Sequence, residues 1–119
     1  MNEKRQSVRV QCYLPVQIKS IDSNGSQAIE NGLVVNISRT GLCVRISQFI
    51  PLVSHLYIHL NFPNRSPIEM QVVPTRISEL PHLEKYEIGG QFVELSPEDE
   101  NAIQSFQYKT LFETTTQQH

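Results

Sequence analysis

The chain has 119 residues and a formal net charge of −2, with 39% hydrophobic residues. That length suits one domain able to fold around its own core, without help from a disulfide or metal. The mild acidity speaks against a protein that coats a nucleic acid backbone, and no apolar run approaches the length of a membrane span.

The first residues, Met1 to Arg9, are polar and carry Glu3, Lys4, Arg5 and Arg9. They lack the apolar stretch of a secretion signal and are expected to form a flexible arm. Apolar Val10, Cys12, Leu14, Val16 and Ile18 then alternate with Gln11, Tyr13, Pro15 and Gln17. This period of two predicts a half-buried strand, with Pro15 marking an edge or a bulge. Asp22-Ser23-Asn24-Gly25-Ser26 is a turn, and a second strand is expected from Ala28 to Ile37. The segment Asn36-Ile37-Ser38-Arg39-Thr40-Gly41 reads as a polar turn ahead of a third strand carrying Leu42, Val44 and Ile46.

Leu56, Ile58, Leu60 and Phe62 alternate with polar neighbours in a fourth strand. Ile68 to Ile77 is a fifth, interrupted near Pro74, and Tyr86 to Leu95 a sixth. Its Gly89-Gly90 pair predicts a bulge or a close backbone approach. Ser96-Pro97-Glu98-Asp99 is a helix start: a hydroxyl cap, proline at the first position, and acids in the first turn. The helix is expected over Pro97 to Phe112 with an apolar stripe of Ala102, Ile103, Phe106 and Leu111, followed by a disordered tail over 113–119. Six short strands and one helix predict a mostly β domain over 10–112, a barrel or a sandwich.

Two motifs carry chemistry. Arg5-Gln6-Ser7-Val8-Arg9 places two arginines in the arm before the first strand. Each guanidinium is a planar fork able to clamp phosphate, stack on a base, or read the edge of guanine. The Asn36–Gly41 turn offers an amide from Asn36, a hydroxyl from Ser38 and, at Gly41, room for a positive φ or a close approach to a ligand. Either motif alone has a plain reading, as a solvated basic arm or as a self-bonded turn. Together they suit a ligand bearing both phosphate and guanine.

Taken in this order, RxxxR before strand one and NxSxxG after strand two, the chain resembles the PilZ domain family. The segment Tyr86-Glu87-Ile88-Gly89-Gly90-Gln91-Phe92-Val93 resembles the family's closing strand. The resemblance implies a six-stranded antiparallel β-barrel with a C-terminal helix, and a receptor for cyclic di-GMP. It assigns ligand contacts to Arg5, Arg9, Asn36, Ser38 and Gly41. Lys4 stands where some relatives place a second basic residue that accompanies binding of a ligand pair; lysine neither stacks nor forks as arginine does. The implied partner is an unidentified effector protein, in a motility, pilus or exopolysaccharide setting, with this chain a cytoplasmic monomer or weak homodimer. A rival reading is a PilZ-fold module that works by protein contact and binds no nucleotide. A second is a barrel for single-stranded nucleic acid, which would need a basic groove with exposed aromatics.

No enzyme is expected. The sequence has no Gly-x-Ser-x-Gly elbow and no phosphate loop. Cys12 and Cys43 lack CxxC spacing and a second pair, so they are expected as buried thiols rather than zinc ligands. His55 and His59 are four apart on a strand, too far to share a metal, and no cofactor is expected. Glu98, Asp99 and Glu100 read as helix-start electrostatics.

Overall fold

The computed structural model describes residues 9–51 and 55–117, with side chains to residue 112. Six strands form: β1 (Val10–Ile21), β2 (Gln27–Ile37), β3 (Gly41–Ile46), β4 (His55–Leu60), β5 (Ile68–Leu80) and β6 (Lys85–Val93), followed by helix α1 (Pro97–Gln117). Every pairing is antiparallel, and the order β1-β2-β3-β6-β5-β4 closes on itself through β1 and β4. The alternation seen in the sequence is the barrel wall. Even-numbered residues of β1, from Val10 to Ile18, point inward and are buried. Leu56, Ile58, Leu60, Ile68, Met70 and Val72 do the same from β4 and β5, with Val34, Val44, Ile46 and Ile88 opposite. Each such aliphatic side chain contributes about 1.5–3 kcal/mol on burial, and closure pairs β1 with β4, the two strands that would otherwise be the sheet's edges.

Pro15 sits where its missing N–H does least harm. The ladder to β4 begins only at Val16, and the ladder to β2 shifts register between Gln11 and Leu14. The β1–β2 turn is built by Asp22, whose Oδ1 accepts from the N–H groups of Asn24 and Ser26, both at 2.9 Å, while Gly25 takes a left-handed φ of 84°.

Four details depart from the sequence reading. β4 stops at Leu60, so Phe62 is not a strand residue. It is buried and packs on Phe106 of α1, with ring centroids 5.0 Å apart. Of the bulge or close approach expected at Gly89-Gly90, the close approach is there, with the Val73 carbonyl oxygen 2.8 Å from where a Gly90 Cβ would stand, while the bulge lies on the facing strand, where β5 shifts register between Pro74 and Arg76 and then runs on to Leu80. The helix continues past Phe112 to Gln117, so 113–117 are helical rather than a disordered tail, and 118–119 lie outside the described residues. Leu111 is exposed, leaving Ala102, Ile103 and Phe106 to seat the helix on the barrel.

Ser96 caps α1 as expected: its Oγ accepts from the Asp99 N–H at 3.1 Å. One consequence of the topology matters for function. The start of β1, the end of β2, the start of β3 and the end of β6 all lie at the same end of the barrel. Arg9, the Asn36–Gly41 turn and the first turn of α1 therefore lie at that end.

Candidate functional site

Bulges decide which side chains reach the outer surface at this end. On β2, Val34 pairs with Val44 but Asn36 pairs with Cys43, so Val35 is extra. Val34 and Ile37 both point inward and are fully buried, and the inserted residue leaves Asn36 facing out between them. There Asn36 meets the arm. The Arg9 Nη1 donates to Asn36 Oδ1 at 2.6 Å, joining residues 27 apart in sequence. The last arginine of the first motif and the first residue of the second thus touch directly. No other partner holds Arg9 among the described residues. Arg5 and Lys4 lie outside the described residues.

Ser38 and Gly41 are engaged within the turn and against β6. Ser38 is only 1% exposed. Its Oγ lies 3.3 Å from the N–H groups of Thr40 and Gly41, the Gly41 carbonyl and the Thr40 hydroxyl, and its own N–H donates to the Gly41 carbonyl at 2.8 Å. Its hydroxyl is engaged inside the turn. Gly41 is required by a close approach, not by a positive φ. A Cβ there would overlap the Gly90 carbonyl oxygen outright and lie 3.1 Å from the Gly90 carbonyl carbon. The atom that needs the room is the backbone of β6, and the Phe92 N–H donating to the Thr40 carbonyl at 2.9 Å pins the same junction. Gly90 is bare for a similar reason, since its Cβ would strike Val72 and fall 2.8 Å from the Val73 carbonyl oxygen. Ser38, Gly41 and Gly90 therefore hold the platform, and Arg9 and Asn36 occupy it.

Register extends that platform sideways. Gln11, Asn36, Cys43, Gly89 and Arg76 are successive neighbours on β1, β2, β3, β6 and β5. Cys43 lies in the middle of the row, on the outward parity of β3, yet is only 2% exposed. Its Sγ is 3.8 Å from Glu87 Oε1, and Glu87 Oε2 accepts from Arg45 Nη2 at 2.7 Å. Burial pushes the Cys43 thiol up, and the Glu87 charge adds to this. The guanidinium groups of Arg76 and Arg9 act against both. Cys43 is the buried thiol expected from the sequence, but its place in this row, and those of Arg76 and Glu87 beside it, were not foreseen. The available signal was in β5: Ile68, Met70, Val72 and Pro74 set an inward parity that Ile77 breaks, which requires an extra residue between them.

No described helix is long and apolar enough to cross a membrane. His59 is paired with Glu69, Nδ1 to Oε2 at 3.1 Å.

The sequence matches the PilZ domain family model over residues 3–109. No curated protein matches it. Among solved structures it is similar to the Bacillus subtilis inhibitor of motility MotI/DgrA, at 23% identity and TM-score 0.74, covering 93% of this chain and 53% of that one. It is similar to the PilZ domain of Escherichia coli YcgR with c-di-GMP, at 15% identity and TM-score 0.71, with 97% of each chain covered. It is also similar to the K. pneumonia MrkH–c-di-GMP complex, at 14% identity and TM-score 0.69, covering 97% of this chain and 56% of that one. The chain thus spans about half the length of MotI/DgrA and MrkH, and the whole of the isolated YcgR domain. At these identities the structural likeness establishes the barrel-plus-helix fold.

Proposed function

The chain belongs to the PilZ domain family, and from that premise we propose that it is a receptor for cyclic di-GMP acting on a partner protein. One observation carries the reading: Arg9 of the arm motif is hydrogen-bonded to Asn36 of the turn motif. A single donor of Arg9 is engaged there. The rest of the fork is available for phosphate or a guanine edge, and the Asn36 amide N–H groups supply donors beside it. Two solved structures to which the fold is similar are described with c-di-GMP.

The ligand bridges the arm and the outer face of the turn. Arg9, with Arg5 from the arm, supplies the cationic side, and Asn36 the side fixed on the barrel. Ser38 and Gly41 act beneath it by holding the turn against β6. Binding favours the arm conformation that makes these contacts, by as much as the ligand's affinity differs between the arm's states. Arg9 and the first turn of α1 lie at one end of the barrel, so a ligand held by Arg9 alters the surface there that a partner protein would read.

The test is titration of cyclic di-GMP into wild-type protein, Arg9→Ala and Asn36→Ala. A bidentate arginine–guanine contact is worth about 1–3 kcal/mol. Arg9→Ala is therefore expected to weaken binding about ten- to hundredfold with the unfolding midpoint unchanged, because Arg9 is exposed. Wild-type affinity in Arg9→Ala would remove the arm from the site. Absence of wild-type binding would shift the function to contact with a protein alone.

A further inference from the structure

We propose that the outer face of β1 and β4, at the end of β1 away from Arg9, is a docking surface for a second copy of this chain. The surface is separate from the candidate ligand site. Lys19, one of its residues, lies further along β1 than Gln11 by about 26 Å.

Strand register assembles this face from outward-pointing residues. Ile29, Lys19, Tyr57 and Gln71 are neighbours in one row across β2, β1, β4 and β5. Asn31, Gln17, His59 and Glu69 form the next row on the same four strands. Among these side chains lies an open depression of about 510 Å³, with Ile58 and Met70 of the barrel wall also lining it. Ile29 and Tyr57 are large and apolar on an outward parity, 66% and 40% exposed. Covering them removes apolar surface from water, and tyrosine is enriched at the centres of interfaces.

The charges on the two rows point to the occupant. Lys19 is their one lysine or arginine, and Glu69 their one carboxylate. They stand on a diagonal, two strands and one row apart, about 12 Å, too far to pair within one chain. Lys19 makes no ion pair among the described residues, and its ammonium stands 6.0 Å from the centre of the Tyr57 ring. Glu69 is anchored through one oxygen only, His59 Nδ1 to Oε2 at 3.1 Å, and its side chain is 80% exposed. The other oxygen is left for a cation from outside.

A patch with opposite charges on its diagonal and an aromatic ring between them is complementary to itself. Rotating a second copy about a two-fold axis that passes between Tyr57 and His59 brings Lys19 of each copy to Glu69 of the other. The same rotation sets the two Tyr57 rings side by side. This is an isologous contact, in which each residue meets its counterpart's partner twice. A partner of a single charge sign would instead oppose one of the two charges with its like. Closure of the barrel pairs β1 with β4 here, so the contact is made by side chains and adds no strand. Four strands by two or three rows make a small interface, below about 1,200 Å² in total, the size of a transient rather than a permanent dimer.

The experiment is sedimentation equilibrium of the wild-type chain, Lys19→Glu and Glu69→Lys, from about 10 µM to about 1 mM. Wild type should show a reversible monomer–dimer equilibrium. Each substitution places like charges in both symmetric pairs, so each should weaken the dimer about 10- to 100-fold. Both residues are exposed, and unfolding midpoints equal to that of wild type will show that the variants fold. Mixed in equal amounts, the two variants should form a heterodimer with an affinity near that of wild type, because each carries the charge the other has lost. A wild-type chain that stays monomeric at about 1 mM overturns the proposal. So does a dimer that neither substitution weakens, or a mixture no more associated than its two components alone.

Discussion

Substituting Gly41 by alanine should break the platform from below. The new Cβ would overlap the Gly90 carbonyl oxygen and sit 3.2 Å from the Gln91 Cα. Both belong to the backbone of β6, so no side chain can swing away to relieve the contact. Reaching ordinary van der Waals separation requires β3 and β6 to part by about 1 Å or more. That stretches the Phe92–Thr40 bond from 2.9 Å out of hydrogen-bonding range, at a net cost of about 0.5–1.5 kcal/mol. Overpacking adds about 1–3 kcal/mol, for a total of about 2–4 kcal/mol. At an m-value of about 2 kcal/mol/M the urea midpoint should fall by about 1–2 M. Gly89→Ala is the comparison, because the atoms nearest its Cβ would be those of the flexible Arg76 head, at 3.3 Å or more. It should stay within about 1 kcal/mol of wild type. Unfolding followed by far-ultraviolet circular dichroism measures both. A Gly41→Ala midpoint equal to that of wild type would refute the argument from close approach.

Other outcomes follow from the same geometry. Ser38→Ala removes the acceptor for the Thr40 and Gly41 N–H groups in a buried turn; a loss of about 1–3 kcal/mol is expected in the same denaturation assay. Ile103→Ala opens a cavity where α1 sits on the barrel, and should cost about 2–5 kcal/mol, read as a lowered thermal midpoint. Burial pushes the Cys12 thiol up from 9.0 to about 11, so the folded protein keeps a proton that the unfolded chain releases. Stability should therefore fall as pH rises from 9 towards 11, by about 2–3 kcal/mol from this group. In Cys12→Ala that part of the alkaline loss should vanish, which urea midpoints at pH 8 and pH 10.5 will show.

The strands were legible because barrel walls impose strict alternation. Val10 to Ile18 and Leu56 to Leu60 carry that signal with no interruption, and the Ser96 cap announces α1. Bulges hid the rest. Counting by twos cannot show that Val35 and Thr75 are extra residues, yet those two insertions put Asn36 and Arg76 on the outside. The two motifs are legible in the sequence, but the packing of their residues is not. Ser38 looks like a free hydroxyl in sequence and becomes a buried one only when the Thr40 and Gly41 N–H groups close over it. The room at Gly41 is needed by β6, a neighbour some fifty positions away in the chain (Gln91), which sequence spacing does not show. The helix end was misplaced because Thr114, Thr115 and Thr116 are weak helix formers. Extending a helix already nucleated needs only one bond per residue, and α1 continues through them.

The most direct measurement is isothermal titration of the purified wild-type protein with cyclic di-GMP, with cyclic di-AMP and GTP in parallel. The account predicts saturable heat for cyclic di-GMP alone, with the molar ratio giving one ligand or an intercalated pair per chain. No heat at high ligand concentration, confirmed by a second binding method, would contradict it and leave a PilZ barrel that works through protein contact.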